Sequence, residues 1–193
     1  MKIQDPLFEG ESICLGAIHH ETDAEIEAKW TEDPIYMRML SPQPFRPAAA
    51  AQIKKRYEAM EKEIEESHSL FYFTIRDKDN DRLIGFVRLF WVDWTNGGGH
   101  IQIGIGDVND RQRGYGTQAL RLVLNYAFSE LNLYRLSAIV PEYNPVALHV
   151  FQKLGFIEEV RRREAYARDG KRWDAIHLGL LRNEWQAQNG DEA

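Results

Sequence analysis

The sequence predicts one α/β domain of the mixed α+β kind. Helical and strand-like periodicities alternate along its 193 residues. The strand-like runs come in pairs divided by turn residues, as antiparallel hairpins do. Between the pairs lies one strongly amphipathic helix, with Leu120, Val123, Leu124, Ala127, Phe128 and Leu131 at helical spacing. A chain of this length fits a single domain, with the ordered core expected over about 12–185 and a flexible tail over 186–193.

Ser12 to Ile18 is short and mostly apolar, a strand. Thr22 and Glu25 have the spacing of a reciprocal capping box, so a helix is expected to start there and bury Ile26 and Trp30. Prolines 34, 42, 44 and 47 predict an irregular segment. Ala50, Ile53, Tyr57, Met60 and Ile64 then form one stripe of a second helix. Leu70–Ile75 and Leu83–Trp91 read as paired strands around the Asp/Asn-rich turn 77–81. Asn96 to Gly99 predicts another turn, and Ile101, Ile103 and Ile105 alternate as a strand that ends near Gly106. After the central helix, Leu136–Val140 is a strand. Asn144 is an N-cap with Pro145 at the first helical position, and Gly155 is a left-handed C-cap. Phe156–Tyr166 and Trp173–Leu180 flank an Asp169–Gly170 turn as a long hairpin.

A formal net charge of −6 disfavours a generic nucleic-acid backbone binder and suits a cationic partner. The single cysteine, Cys14, rules out an intrachain disulfide and a cysteine cage for zinc. No histidine or carboxylate cluster has metal-ligand spacing, so no metal is expected. No apolar run reaches membrane-span length and no secretory pattern opens the chain, so the expected location is the cytoplasm, with no membrane partner.

The informative constellation is the strand ending near Gly106, then Arg111, Gln112, Arg113, Gly114, Tyr115 and Gly116, then the amphipathic helix. Backbone N–H groups at a helix start lack intrahelical partners and can converge on an anion such as a pyrophosphate. Gly114 lets the chain curl, and Gly116 is expected to be required because a Cβ there would strike ligand or sheet. The pattern lacks the third glycine of dinucleotide folds and the Gly-Lys-Ser/Thr of the P-loop, which disfavours a generic nucleotide-binding domain.

Arg111 to Gly116 matches the signature Q/R-X-X-G-X-G/A, and the chain resembles the GNAT superfamily of acetyltransferases. It is most similar to the branch that acts on ribosomal-protein N-termini and polyamines. The match extends to Tyr126-Ala127-Phe128, Leu131-Asn132-Leu133, Asn144, Ala147, Lys153-Leu154-Gly155-Phe156, Gly170 with Asp174, and Glu184-Trp185. The resemblance implies a mixed, mostly antiparallel sheet splayed between its fourth and fifth strands, flanked by helices, with acetyl-CoA in the opening. By the same resemblance, Ile105 pairs with the pantetheine arm and Asn144 contacts it. Gln112, Arg113, Gly114, Tyr115, Gly116 and Thr117 meet the pyrophosphate, with Arg111 and Arg113 adding charge-assisted bonds.

The implied reaction is direct attack of a primary amine on the thioester in a ternary complex. Many relatives carry a tyrosine near Phe151 or a serine near Ala147; this chain offers no proton at either place. Gln102 stands where a carboxylate base would fit. His100 is therefore the candidate base and Tyr143 the candidate acid. Acceptors are a protein N-terminus, a polyamine or another small amine. Phe90, Trp91 and Trp94 are assigned either to the acceptor groove or to a homodimer contact. Glu21, Asp23, Asp33 and Asp93 are given no role. The alternative is an acetyl-CoA-binding sensor without catalysis.

Overall fold

A computed structural model of the chain describes residues 6–189. Seven strands form one sheet in the order β1-β2-β3-β4-β5-β7-β6: β1 (Ile13–Gly16), β2 (Phe71–Asp77), β3 (Leu83–Asp93), β4 (Gly98–Ile105), β5 (Arg135–Pro141), β6 (Ile157–Arg168) and β7 (Lys171–Leu181). Every neighbouring pair is antiparallel except β4 and β5, which run parallel.

Helices cover both faces. On one, α4 (Tyr115–Asn125) buries Ala119, Leu120, Val123 and Leu124 against Val87, Ile101, Leu136 and Leu178. Its apolar stripe runs on through Ala127 and Phe128, where the chain widens to a π turn and Leu131 N–H bonds Tyr126 O at 3.0 Å. The α5 helix (Pro145–Lys153) adds Phe151 to the same core. The other face is covered near β2–β4 by α1 (His20–Trp30), α2 (Pro34–Leu40) and α3 (Ala50–Ser67). Ala24 of α1 packs on Ile53 and Tyr57 of α3, while Trp30 meets Tyr36 and Leu83.

Four expectations change. First, α1 begins at His20, two residues before Thr22. Asp23, not Thr22, closes its first turn by accepting the His19 N–H at 2.7 Å, and the Thr22 hydroxyl turns back to His19 O. A carboxylate one turn inside a helix can do what the capping box was expected to do. Second, Pro34 starts a helix rather than breaking the chain. Asp33 caps α2 by accepting from Ile35 N–H at 2.8 Å, and proline needs no N–H at that first position. Third, Gly98 and Gly99 belong to β4, because the turn 94–97 is closed by Gly97 O accepting from Tyr134 and Arg135. Fourth, α6 (Arg182–Asn189) occupies the start of the expected tail; residues 190–193 lie outside the described residues.

Asp23 also receives Arg76 Nη2 at 2.6 Å, and both residues are buried. This pair joins α1 to β2. Removing one partner of a buried pair strands the other charge, at a cost of about 3–5 kcal/mol. Asp23→Ala is therefore expected to lower the urea-unfolding free energy by about that much; a loss under about 1 kcal/mol would contradict the assignment.

Candidate functional site

β4 and β5 pair only where Gly98, Gly99 and His100 face Arg135, Leu136 and Ser137. Beyond His100 they part, because β5 keeps full register with β7 as far as Pro141 while β4 follows β3 to Ile105. A wedge opens between them. Gly106 N–H donates to Ile84 O on β3 at 3.0 Å. Antiparallel alternation therefore turns the N–H and C=O groups of Ile101, Ile103 and Ile105 away from β3; the Ile101 N–H falls to Ser137 O in the last rung of the β4–β5 ladder, and the groups beyond it face the wedge.

At the wide end of the wedge the chain curls through Gln112 (φ 62°) and Gly114 (φ 85°) into α4. The first intrahelical bond runs from Gln118 N–H to Gly114 O at 3.0 Å, so the N–H groups of Tyr115, Gly116 and Thr117 precede any intrahelical acceptor. A side chain built at Gly114 would meet nothing within 4 Å, which leaves an open cradle over these donors. Gly116 differs from its expectation. A Cβ there would lie 3.6 Å from Ile103 and 3.7 Å from Ile105, ordinary contact, so the protein itself does not require glycine at 116. Gly106 is the tight position, where a Cβ would run into the Trp30 ring.

Arg111 is engaged elsewhere than on a phosphate. Its guanidinium donates to Asp33 Oδ2 (2.8 Å), Gly106 O (2.6 Å) and Ile105 O (3.3 Å), tying the α2 cap to the end of β4. Gln112, Arg113 and Gly114 are exposed, and Tyr115, Gly116 and Thr117 half-buried. Asn144 caps α5, its Oδ1 accepting from Ala147 N–H at 3.1 Å, while its Nδ2 donates to Met39 O at 3.2 Å. Gln102 on β4 donates to Leu40 O at 3.0 Å, and Arg168 on β6 to Pro42 O at 2.5 Å. Residues 39–42 are thus strapped to both banks of the wedge.

His100 stands at the closed end, where the paired strands divide. Its ring lies 5.6 Å from Phe90 and 5.3 Å from Trp91, and its buried Nδ1 has no hydrogen-bond partner. Burial, then the nearby His177 and Arg135, hold its imidazole below the ordinary histidine value. Trp91, left-handed at φ 51° in a β3 bulge and 69% exposed, flanks this histidine; Trp94 instead donates to His68 O at the end of α3. Tyr143 lies beyond the open end. Its ring packs edge-on to Trp173 at 5.8 Å. Ser137, the strand partner of His100, and Pro141, two residues before Tyr143, are separated by roughly 13 Å of strand. The unassigned carboxylates have structural partners: Asp33 with Arg111, Asp23 with Arg76, Glu21 with Lys54 and Asp93 with the Asn96 turn.

Sequence reasoning missed four groups on the sheet face opposite α4. Arg88 donates from Nε to Gln102 Oε1 at 2.9 Å. Tyr36 sets a buried, unpartnered hydroxyl over Gly104, its acidity suppressed by burial. Glu27 accepts from Tyr57 at 2.5 Å and is raised above the usual carboxylate range by burial. His177, across β5 from Ile139, has a buried, unpartnered Nε2. Strand register places Arg88 and His177, and the packing of α1 and α2 places Glu27 and Tyr36.

The family described as "Acetyltransferase (GNAT) domain" matches residues 13–157. The chain is 32% identical over 77 residues to spermidine N(1)-acetyltransferase of Escherichia coli (strain K12), covering 40% of this chain and 41% of that protein. It is 36% identical over 132 residues to the probable N-acetyltransferase YjcK of Bacillus subtilis (strain 168), covering 66% and 70%. Matches to the curated spermidine acetyltransferases span from 41% to 64% of their length. The crystal structure of spermidine N-acetyltransferase from Vibrio cholerae in complex with CoA and spermine shares the fold, with a TM-score of 0.77 at 20% identity over 91% of this chain and 99% of that one.

The two glycines of the turn separate by substitution. Gly114→Ala forces a side chain into left-handed backbone and is expected to cost about 1 kcal/mol. Gly116→Ala, inside the first turn of α4, is expected to leave stability unchanged or slightly raised. Chemical denaturation of both variants checks this; a greater loss at 116 would reverse the assignment.

Proposed function

The chain belongs to the GNAT acetyltransferase family, and from that membership we propose that it transfers the acetyl group of acetyl-CoA to a primary amine by direct attack in a ternary complex. The observation that carries the reading is the unpaired edge of β4 beside the open cradle at Gly114. A ligand with a pyrophosphate at one end and a chain of amides behind it satisfies both.

The N–H groups of Tyr115, Gly116 and Thr117, with the Gln112–Gly114 backbone and the Arg113 side chain, hold the pyrophosphate at the positive end of α4. The Ile105 N–H, the Ile103 N–H and C=O and the Ile101 C=O pair with the pantetheine amides as a neighbouring strand would. Five residues of β4 span roughly 17 Å, which brings the thioester to the His100 end of the wedge. The Ile103 N–H polarises its carbonyl. The arginine expected on the phosphate, Arg111, keeps the α2 cap in place instead.

An ammonium has no lone pair, so it must lose a proton before it attacks. We assign that proton to His100, whose ring stands where β4 and β5 divide and whose burial favours the neutral imidazole. The amine nitrogen bonds to the carbonyl carbon, collapse of the adduct breaks the C–S bond, and the proton still on the adduct nitrogen passes to the departing thiolate or to water. The thiolate departs as a weak base, ordinary thiols having a pKa of about 8.5, so no hydroxyl is needed at Phe151 or Ala147. Tyr143 lies at the wrong end of the wedge to serve the thiolate. Spermidine, which the Escherichia coli relative's name gives as its substrate, is one acceptor of this class; protein N-termini and other small amines are others.

Thiol release that depends on an added amine separates the enzyme from a coenzyme sensor. A histidine that must be neutral gives kcat/KM an acidic limb, and a depressed pKa puts that limb below about 6.5. Activity is expected to fall as pH drops through it. His100→Ala is expected to lower kcat by ~10²-fold and abolish the limb, while calorimetric affinity for acetyl-CoA stays unchanged. An unaltered pH profile in the variant would remove His100 from the chemistry.

A further inference from the structure

The acceptor side of the wedge carries a cation that no carboxylate neutralises. Arg88 projects from β3 on the face shared with His100 and Gln102, its cross-strand neighbours being Tyr72 and Gln102. The guanidinium lies over the Phe90 ring at 4.9 Å and gives its Nε–H to Gln102 Oε1 at 2.9 Å. Gln102 is itself fixed by its bond to Leu40 O. Arg88 is therefore held at its stem, with the terminal nitrogens Nη1 and Nη2 making no hydrogen bond among the described residues.

Other inward-facing arginines near this region end on carboxylates: Arg76 on Asp23, Arg82 on Asp110, Arg111 on Asp33. Arg88 forms no ion pair among the described residues. Glu27 is taken by Tyr57 and does not reach it, and Glu63 acts on it only at long range. Burial works against its charge, lowering its pKa from the usual arginine value. A half-buried guanidinium with two free donors matches a carboxylate in charge and in fork geometry. The same group one strand from the amine site repels a purely cationic acceptor.

Resting on the acetyl-transfer reading, we propose that the acceptor is a primary amine that also bears a carboxylate, bound by Arg88 while its amine faces His100. Such an amine comes from two sources, a small amino acid or the N-terminus of a peptide that begins with an acidic residue. Polyamines, which carry no anion, are poor acceptors on this account.

The test compares acceptors that differ only in that charge. ε-Aminohexanoate and its amide form the small-molecule pair; peptide amides beginning with Glu or with Gln form the second, and spermidine is the all-cationic contrast. Dead-end binding to the CoA-loaded protein is measured beside turnover, so that failure of transfer and failure of recognition are separate results. The acid member of at least one pair is expected to exceed its amide by about tenfold or more in kcat/KM or in affinity, and the responding pair identifies the source. In Arg88→Met that ratio is expected to fall to about one, and in Arg88→Lys to be partly kept. Binding selectivity without turnover would sink acetyl transfer and keep the carboxylate site. Equal response to acid and amide in the unmodified protein, or spermidine as the best acceptor, would overturn the proposal without any variant having to fold.

Discussion

A β-strand edge inside a protein must find partners for its N–H and C=O groups, and the inner edge of β4 beyond the Ile101 N–H has none on β5. The rest of the site follows from that vacancy. β5 follows β7 away from β4, all seven of its residues in register with β7, from Arg135 opposite Leu181 to Pro141 opposite Ala175. The division starts at a fixed point, where Gly97 O holds the N–H groups of Tyr134 and Arg135 and three residue pairs complete the parallel ladder. What remains is a slot with hydrogen-bonding groups along one wall and a helix N-terminus at its mouth.

The polar residues around the slot hold its walls apart and in place. Gln102, Asn144 and Arg168 anchor residues 39–42 from three different elements, and Arg111 fastens the cap of α2 to the last carbonyls of β4. Residues expected to meet ligand thus serve first as struts: Asn144 spends its oxygen on α5 and its amide nitrogen on Met39, and Arg111 spends its charge on Asp33. On the proposed reading anion binding falls to backbone N–H groups, which cost no side-chain entropy to aim. Trp30, packed on the bare face of Gly106, makes the end of β4 a rigid lip.

Much of this was legible in the sequence because it is local. The stripe of α4, the Asn144–Pro145 start of α5, Gly155 in left-handed backbone at φ 91° and the Asp169–Gly170 hairpin all rest on spacing that a few residues carry. The curl at Gly114 belongs with them. The start of α1 was misplaced because Asp23 and Thr22 are both able to serve the first turn, and only the buried Arg76 decides which does. Register was not legible. The cross-strand ladder of Tyr72, Arg88 and Gln102 joins residues 16 and 14 apart in sequence, and neither Arg88 nor His177 belongs to any local pattern. The separation of His100 from Tyr143 likewise needs the sheet, since both are polar residues near strand ends when read along the chain.

Residue-resolved amide hydrogen exchange with and without acetyl-CoA tests the β4 edge most directly. Without coenzyme, the amides of Ile103 and Ile105 are predicted to exchange fast, while Ile101, which closes the ladder with β5, and Gln102 and Gly104, which face β3, are protected. Coenzyme is predicted to slow Ile103 and Ile105 together with Tyr115, Gly116 and Thr117 and to leave the other β4 amides as they were. Uniform protection along β4 before coenzyme is added, or no change at Ile103 and Ile105 on saturation, would contradict the account.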